Sequence, residues 1–307
     1  MVAWTTIDAP RSLAQTLGVL RHGPRDPTTV ITPGEALHAT LTPEGPVTIR
    51  WRWDHDPAPV DADGLTVDLW GPGARWVSPR LDDWVGTHDQ AIEWPGAPEV
   101  VAAALRQVRP RRWGATSNPY HALLPTVLGQ RVTAAEAKSQ WRALVNEVGQ
   151  PAPGPSEIVG SLRLPPEPAS VIQPTWWFHR LGIDPQRARA LVEVARRAPK
   201  FWEWADAGSA TLGAKLAHLP GIGPWTITKV LAPVCGDPDV VVIGDYHLAN
   251  TVVWALTGTP RGTDEEMLEL LAPYAGQRGR IVVGLVASVG QAPKFGPRQR
   301  IVPIHRL

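Results

Sequence analysis

The chain has 307 residues, 43% of them hydrophobic, and its 30 Lys and Arg against 29 Asp and Glu leave a net charge of +1, which predicts a water-soluble globular protein of one large core or two ordinary domains. Its single cysteine, Cys235, excludes an internal disulfide, a cysteine-built zinc site and a four-cysteine iron–sulfur cluster. No apolar run reaches the about 18 residues of a membrane span, and residues 1–10 lack a basic head followed by an apolar stretch, so no membrane partner and a cytoplasmic location are expected.

In chain order, residues 36–42, 47–53 and 65–70 alternate in polarity with Gly, Pro and Asp between them, which predicts strands of a small β-rich domain over residues 1–112. Residues 109–118, basic and punctuated by Pro110 and Gly114, read as a connection. From Tyr120 the pattern turns helical. Helices are expected over 121–131 and 134–148, a Pro-rich loop with one short helix over 150–168, an amphipathic helix over 185–197 and another helix over 211–219. Further helices follow at 224–234, 245–256, 264–271 and 278–289, with Thr263 ahead of three acidic residues as an expected N-cap. The fold class is therefore α+β, mainly α, with a helical domain over 113–290 and a basic tail over 291–307.

Charge is uneven along this plan. Residues 1–112 carry −3 and the remainder +4, and from Leu270 onward there are six basic residues and no acidic one. A local basic face of this kind suits phosphate binding more than the near-zero total suggests. Fifteen Trp against three Phe supply large surfaces for stacking and for core packing.

The densest signal is Leu219-Pro220-Gly221-Ile222-Gly223-Pro224-Trp225-Thr226, followed by Gly244-Asp245-Tyr246-His247. Pro220 stops one helix, Gly221 and Gly223 permit a tight hairpin, and Pro224 suits the first turn of the next helix. Amides left unpaired at such a helix start form a seat for a phosphate. Asp245 follows one helix, one turn and one short apolar run later, at the opening of another helix, where an aspartate caps well and stays ionised.

These residues resemble the helix-hairpin-helix DNA glycosylases, and Pro-Trp-Thr after the hairpin is similar to the 3-methyladenine DNA glycosylase II (AlkA-like) branch. The resemblance implies a core of two helical lobes behind a β-rich N-terminal domain, with the hairpin (Leu219, Gly221, Gly223, Thr226, Thr228) on the DNA backbone and Asp245 catalytic. It also implies a base-flipping plug at Gln130 or Arg131 in Leu128-Gly129-Gln130-Arg131-Val132-Thr133, and a monovalent cation, K+ or Na+, on the Leu219 and Gly221 carbonyls. No other cofactor is expected. Candidate pocket residues are Trp225, Tyr246, His247, Trp176 and Trp177, while relatives place an aromatic near the position of Gln277. Trp225 stands where bifunctional members carry a lysine, and an indole forms no Schiff base. Lys229, one turn further on, is expected as a surface or pocket-edge lysine.

The implied function is a monomeric, monofunctional enzyme of base excision repair at the bacterial nucleoid. It would excise 3-methyladenine- or 7-methylguanine-type bases from double-stranded DNA. A glycosylase/lyase for oxidised or deaminated bases and a non-catalytic DNA-binding protein stay open. So does a carbohydrate enzyme using Asp237 and Asp239.

Overall fold

The computed structural model describes residues 4–57, 64–290 and 292–293; all of the basic tail but Ala292 and Pro293 lies outside the described residues. Four strands, β2 (Thr29–Thr32), β3 (Glu35–Thr42), β4 (Gly45–Arg52) and β5 (Thr66–Trp70), form an antiparallel meander in sequence order. A separate two-stranded ribbon pairs β1 (Thr5–Ile7) with β6 (Ala91–Glu93). The alternating segments are thus strands, but β3 is buried on both faces. Leu37, Ala39 and Leu41 join the core of the first helical lobe, whereas Ala36 packs with Val47, Ile49 and Trp51 in the core of the β-domain. The polar residues His38 and Thr40 therefore face the interior, where burial obliges them to find partners.

The first lobe gathers α2 (Pro119–Leu128), α3 (Ala134–Val148), α4 (Pro185–Asp206), α5 (Ser209–Leu216) and α6 (Pro224–Cys235) around one core. The second lobe contains α1 (Glu99–Val108), α7 (Leu248–Thr257), α8 (Asp264–Leu271) and α9 (Arg278–Val289). Two sequence expectations shift. Helix α4 continues through Pro199 to Asp206, because Ala198, Phe201 and Ala205 extend its buried stripe. Packing also crosses the boundary expected at residue 112: Ile92, Trp94, Val101, Ala104 and Leu105 share a core with Ile281, Val282 and Leu285. Gly284 lets α9 approach α1 closely, since a Cβ there would collide with the Ala104 carbonyl.

A buried ion pair joins two segments far apart in the sequence at this lobe. Arg280, 1% exposed, donates to Asp89 at 2.5 Å and to Gln277 at 2.7 Å, and its guanidinium lies 4.1 Å from the centre of the Trp113 ring. Gln277 thus serves as a buried brace where relatives are expected to carry an aromatic. Burial pushes the Arg280 pKa down, and the charge and hydrogen bond of Asp89 push it back up. Removing one partner strands a buried charge, so Asp89→Ala is expected to lower stability by about 3 kcal/mol or more, read from denaturant midpoints.

Candidate active site

The hairpin is held from below by two apolar anchors, Leu219 and Ile222, and closed by an Ile222 N–H donating to the Leu219 carbonyl at 3.1 Å. Gly221 has φ +82° and lies against α4, so that a Cβ there would sit 2.9 Å from that of Ala190. Both backbone angle and space require glycine at this position. Gly223 differs from expectation: its φ of −95° is open to any residue, and no atom lies within 4 Å of where a Cβ would be. What its missing side chain provides is a clear approach to the start of α6. The N–H groups of Gly221, Gly223 and Trp225 donate to no carbonyl among the described residues, and the positive end of the α6 dipole lies behind them.

The loop between α2 and α3 braces this hairpin. The Gln130 side-chain amide donates to the Gly221 carbonyl at 2.9 Å and to Thr226 Oγ1 at 2.8 Å. Buried Arg187 fixes the base of the loop by donating to the Leu128 carbonyl at 2.6 Å and to Gln140 at 2.7 Å. Of the two plug candidates, Gln130 is thereby committed to the hairpin. Arg131 is exposed, left-handed at φ 57°, and its side chain makes no hydrogen bond among the described residues. Two expected backbone contacts are corrected here. Thr226, 1% exposed, faces Gln130, while the Thr228 hydroxyl donates to the Pro224 carbonyl at 2.9 Å and accepts the Ile243 N–H at 3.3 Å. These hydroxyls hold the helix to its surroundings and are not offered to an incoming phosphate.

Asp245 stands just ahead of α7. Its Oδ1 accepts the N–H groups of His247 at 2.9 Å and Leu248 at 3.1 Å, as a helix cap does, and Oδ2 accepts the Trp225 indole N–H at 3.2 Å. Burial alone would push this carboxyl up. The His247 amide, the Trp225 indole, the Lys229 charge and the Leu248 amide together hold it below the usual carboxylate range. Trp225 in turn lies over Gly129, whose Cβ position is 3.2 Å from the indole ring. Catalytic candidate, hairpin and plug loop are therefore joined through one side chain.

Asp245, Trp225, Lys229, Gln130 and Arg131 line one cleft of about 3020 Å³ between the lobes and the β-domain. Tyr246, 86% exposed, and His247 stand at its rim with their rings 4.7 Å apart. Trp176 and Trp177 are not in it. Their short helix, Thr175–His179, turns Phe178 into the first lobe's core, which leaves Trp176 75% exposed on the outer surface and Trp177 beneath Arg180. Asp239 is tied to Arg278 and Asp237 accepts the Asp239 N–H, so this pair forms a turn outside the cleft.

The cleft's opposite wall corresponds to no motif in the sequence. His22, His38 and His121 meet there, with Asp26, Thr28, Thr29 and Thr40 behind them. His38 and His121 stack at 4.8 Å. Asp26 accepts Trp141 Nε1 at 3.0 Å, the Thr28 N–H at 2.9 Å and hydroxyl at 2.8 Å, and the His22 N–H at 2.6 Å. Burial pushes His38 from the ordinary 6.5 down to about 3, and lowers His22 and His121 for the same reason. The wall is therefore polar but made of neutral rings.

No protein-family profile matches the sequence. A thymine-DNA glycosylase of Aeropyrum pernix is 26% identical over 127 residues, 41% of this chain and 50% of the relative, so the chain spans about half the length of the curated relative it matches. Among solved structures, a 3-methyladenine DNA glycosylase from Archaeoglobus fulgidus superposes with a TM-score of 0.69 at 14% identity, covering 92% of this chain and 96% of the other. A Clostridium acetobutylicum 8-oxoguanine glycosylase/lyase bound to DNA superposes at 0.61 and 9% identity, covering 94% and 98%. At these identities the likeness is one of fold: the chain has the fold of the helix-hairpin-helix DNA glycosylases, α+β and mainly α.

Two predictions follow from this geometry. Gly221→Ala is expected to cost about 1–3 kcal/mol from backbone strain plus the Ala190 contact, read as a lower denaturation midpoint. The histidine wall makes stability depend on pH. Unfolded rings take up protons near 6.5 while folded ones do not, so stability is full above that value and is lost as pH falls towards about 3. Melting temperature is expected to drop between about pH 7 and 5, and less steeply in His38→Gln.

Proposed function

We propose that this protein is a monofunctional DNA N-glycosylase of base excision repair that hydrolyses the glycosidic bond of a nucleotide flipped out of duplex DNA. The observation that carries this reading is the Asp245 carboxylate, held ionised by Trp225 and the α7 amides in a cleft whose rim is the hairpin. The unpaired amides of Gly221 and Gly223 would receive a phosphate oxygen and position the backbone without reading sequence. A monovalent cation on the Leu219 and Gly221 carbonyls fits, since each of these oxygens accepts one hydrogen bond here and keeps a second lone pair. Arg131, free at the cleft mouth, would fill the gap left by the departing nucleotide.

In the cleft, positive charge developing at the sugar C1′ as the base departs would be stabilised by Asp245. The same carboxylate would orient a water whose oxygen bonds to C1′ and whose proton leaves towards the base. Trp225 replaces the amine that strand cleavage through a Schiff base requires. Two lesion classes make different demands on the opposite wall. A cationic alkylated purine, the class the resemblance implies, is favoured by exposed indole faces. A neutral base is favoured by hydrogen-bond partners. Of the tryptophans lining the cleft, Trp84, Trp113 and Trp141 are 2%, 6% and 1% exposed, which leaves the half-buried Trp225 as a stacking surface.

Asp245→Asn is expected to slow base release in single turnover by about 100- to 1000-fold while duplex binding persists. Strands should be cut only after alkali. Because Asp245 is held below the usual carboxylate range, the acid limb of the wild-type rate profile should also lie below that range. Full activity in Asp245→Asn, or strand cutting without alkali, contradicts the reading.

A further inference from the structure

Three helices hold the turn that carries Asp245: α6, α7 and α8. From α6, the Thr228 hydroxyl accepts the Ile243 N–H at 3.3 Å. From α7, the amides of His247 and Leu248 meet Asp245 Oδ1. The hold from α8 comes from Asp264, its first residue. Gly244 has φ +73°, the left-handed region that glycine reaches without strain, and its N–H donates to Asp264 Oδ2 at 2.6 Å. The two residues are 20 apart in the chain, and both line the cleft with Asp245. A hydrogen bond from an amide to a charged carboxylate is roughly twice as strong as one between neutral groups.

The acceptor is itself fixed. Thr263 and Glu266 form a reciprocal capping box, in which the Glu266 N–H donates to Thr263 Oγ1 at 3.2 Å and the Thr263 N–H donates to Glu266 at 2.8 Å. The loop before α8 lies directly on α7, since a Cβ on Gly262 would sit 2.3 Å from a Val253 methyl. The Gly262 N–H donates to Asn250 Oδ1 at 2.9 Å, and Asn250 donates to the Tyr246 carbonyl at 3.4 Å. An acidic residue in a first helical turn has an ordinary use as a partner for the dipole. Asp264 does more than its neighbour in this respect. Glu265 is exposed and accepts from its own amide and from Thr263, whereas the half-buried Asp264 reaches out of its helix to the residue before Asp245.

We propose that Asp264 is a positioning residue, which through the Gly244 amide orients the Asp245 carboxylate against the α7 amides and the Trp225 indole. The peptide that carries the Gly244 N–H sets the direction in which the chain enters Asp245. Released from Asp264, that peptide would swing, because glycine restrains it least. DNA filling the cleft would exclude the water able to stand in for Asp264, so the bond counts for most in the complex. The effect on rate rests on the glycosylase reading; the effect on the carboxylate does not.

The test uses the full-length wild type, Asp264→Ala, Asp264→Asn and Glu265→Ala. Asn keeps an oxygen that accepts the Gly244 N–H and drops the charge. Glu265→Ala takes a charge from the same helical turn and leaves the Gly244 contact. Two quantities are read. One is single-turnover release, across pH, of whichever base the wild type frees from methylated, deaminated and oxidised duplexes. The other is the titration of the Asp245 carboxyl by carbon NMR, assigned by its absence in Asp245→Asn. Asp264→Ala is expected to slow release about 10- to 100-fold, with melting temperature and abasic-duplex affinity as in Glu265→Ala. Its acid limb and carboxyl titration should both move up towards the usual carboxylate range, as the amides that hold Asp245 down are lost. Asp264→Asn should restore most of the rate and the low titration. A wild-type titration in Asp264→Ala, or an Asp264→Asn as slow as Asp264→Ala, would overturn the positioning role. If the wild type releases no base, the glycosylase reading falls, and the carboxyl titration still decides whether Asp264 orients Asp245.

Discussion

A carboxylate taken partly out of water tends to protonate unless donors replace its lost hydration. Asp245 meets this with two main-chain amides at the start of α7 on one oxygen and the Trp225 indole on the other. The requirement spreads outward. Trp225 has to lie at the first turn of α6, which fixes the hairpin, and its ring has to find room over Gly129, which fixes the end of α2. Gln130 then closes the circuit by binding the Gly221 carbonyl and Thr226. The groups expected on the DNA backbone and on the sugar are thus parts of one braced unit, to which Arg131 is joined through its chain neighbour Gln130, and a shift in the hairpin or in Trp225 displaces the carboxylate.

The two sides of the cleft use polarity in opposite ways. On the α6–α7 side a charge is kept and stabilised. On the β-domain side, burial of β3 on both faces turns His38 and Thr40 inward, and the rings stay neutral because desolvation lowers all three, reinforced at His38 by His22 and opposed at His22 and His121 by Asp26. A charged wall there would compete with Asp245 for whatever cation develops at the sugar. Neutral imidazoles and hydroxyls provide directional contacts without that competition. The β-domain is consequently part of the cleft, not an appendage to the helical lobes.

How much of this was legible in the sequence depended on how local each signal was. The hairpin, the strands over 36–52 and the helix over 278–289 are written in adjacent residues, and the structure has them. Asp245 stands out in the sequence because its distance from Gly221 is itself a pattern, and the structure sets its carboxylate in the cleft against Trp225. Thr226 and Thr228 were misplaced because a hydroxyl near a helix start can face either outward or into the helix's own packing, and sequence does not say which. Trp176 and Trp177 look alike in sequence, but the helix turns Phe178 inward, leaves Trp176 on the outer surface and packs the half-buried Trp177 against the first lobe's core, both away from the cleft. The histidine wall was invisible for a deeper reason. His22 lies in the loop ahead of β2, His38 on β3, Trp84 at the end of the short helix Leu81–Trp84 and His121 on α2, and only the packing of these elements brings them together. Each alone reads as an ordinary core residue.

The central claim is that Asp245 stabilises positive charge at the sugar. The most direct test measures affinity for a duplex in which one deoxyribose is replaced by a pyrrolidine ring, cationic where the sugar becomes cationic, against the same duplex with an uncharged tetrahydrofuran. The account predicts that the wild type prefers the cationic ring by about 100-fold or more and that Asp245→Asn loses this preference while binding the uncharged duplex as before. Equal affinity of the wild type for both rings, or a preference that survives Asp245→Asn, would contradict it.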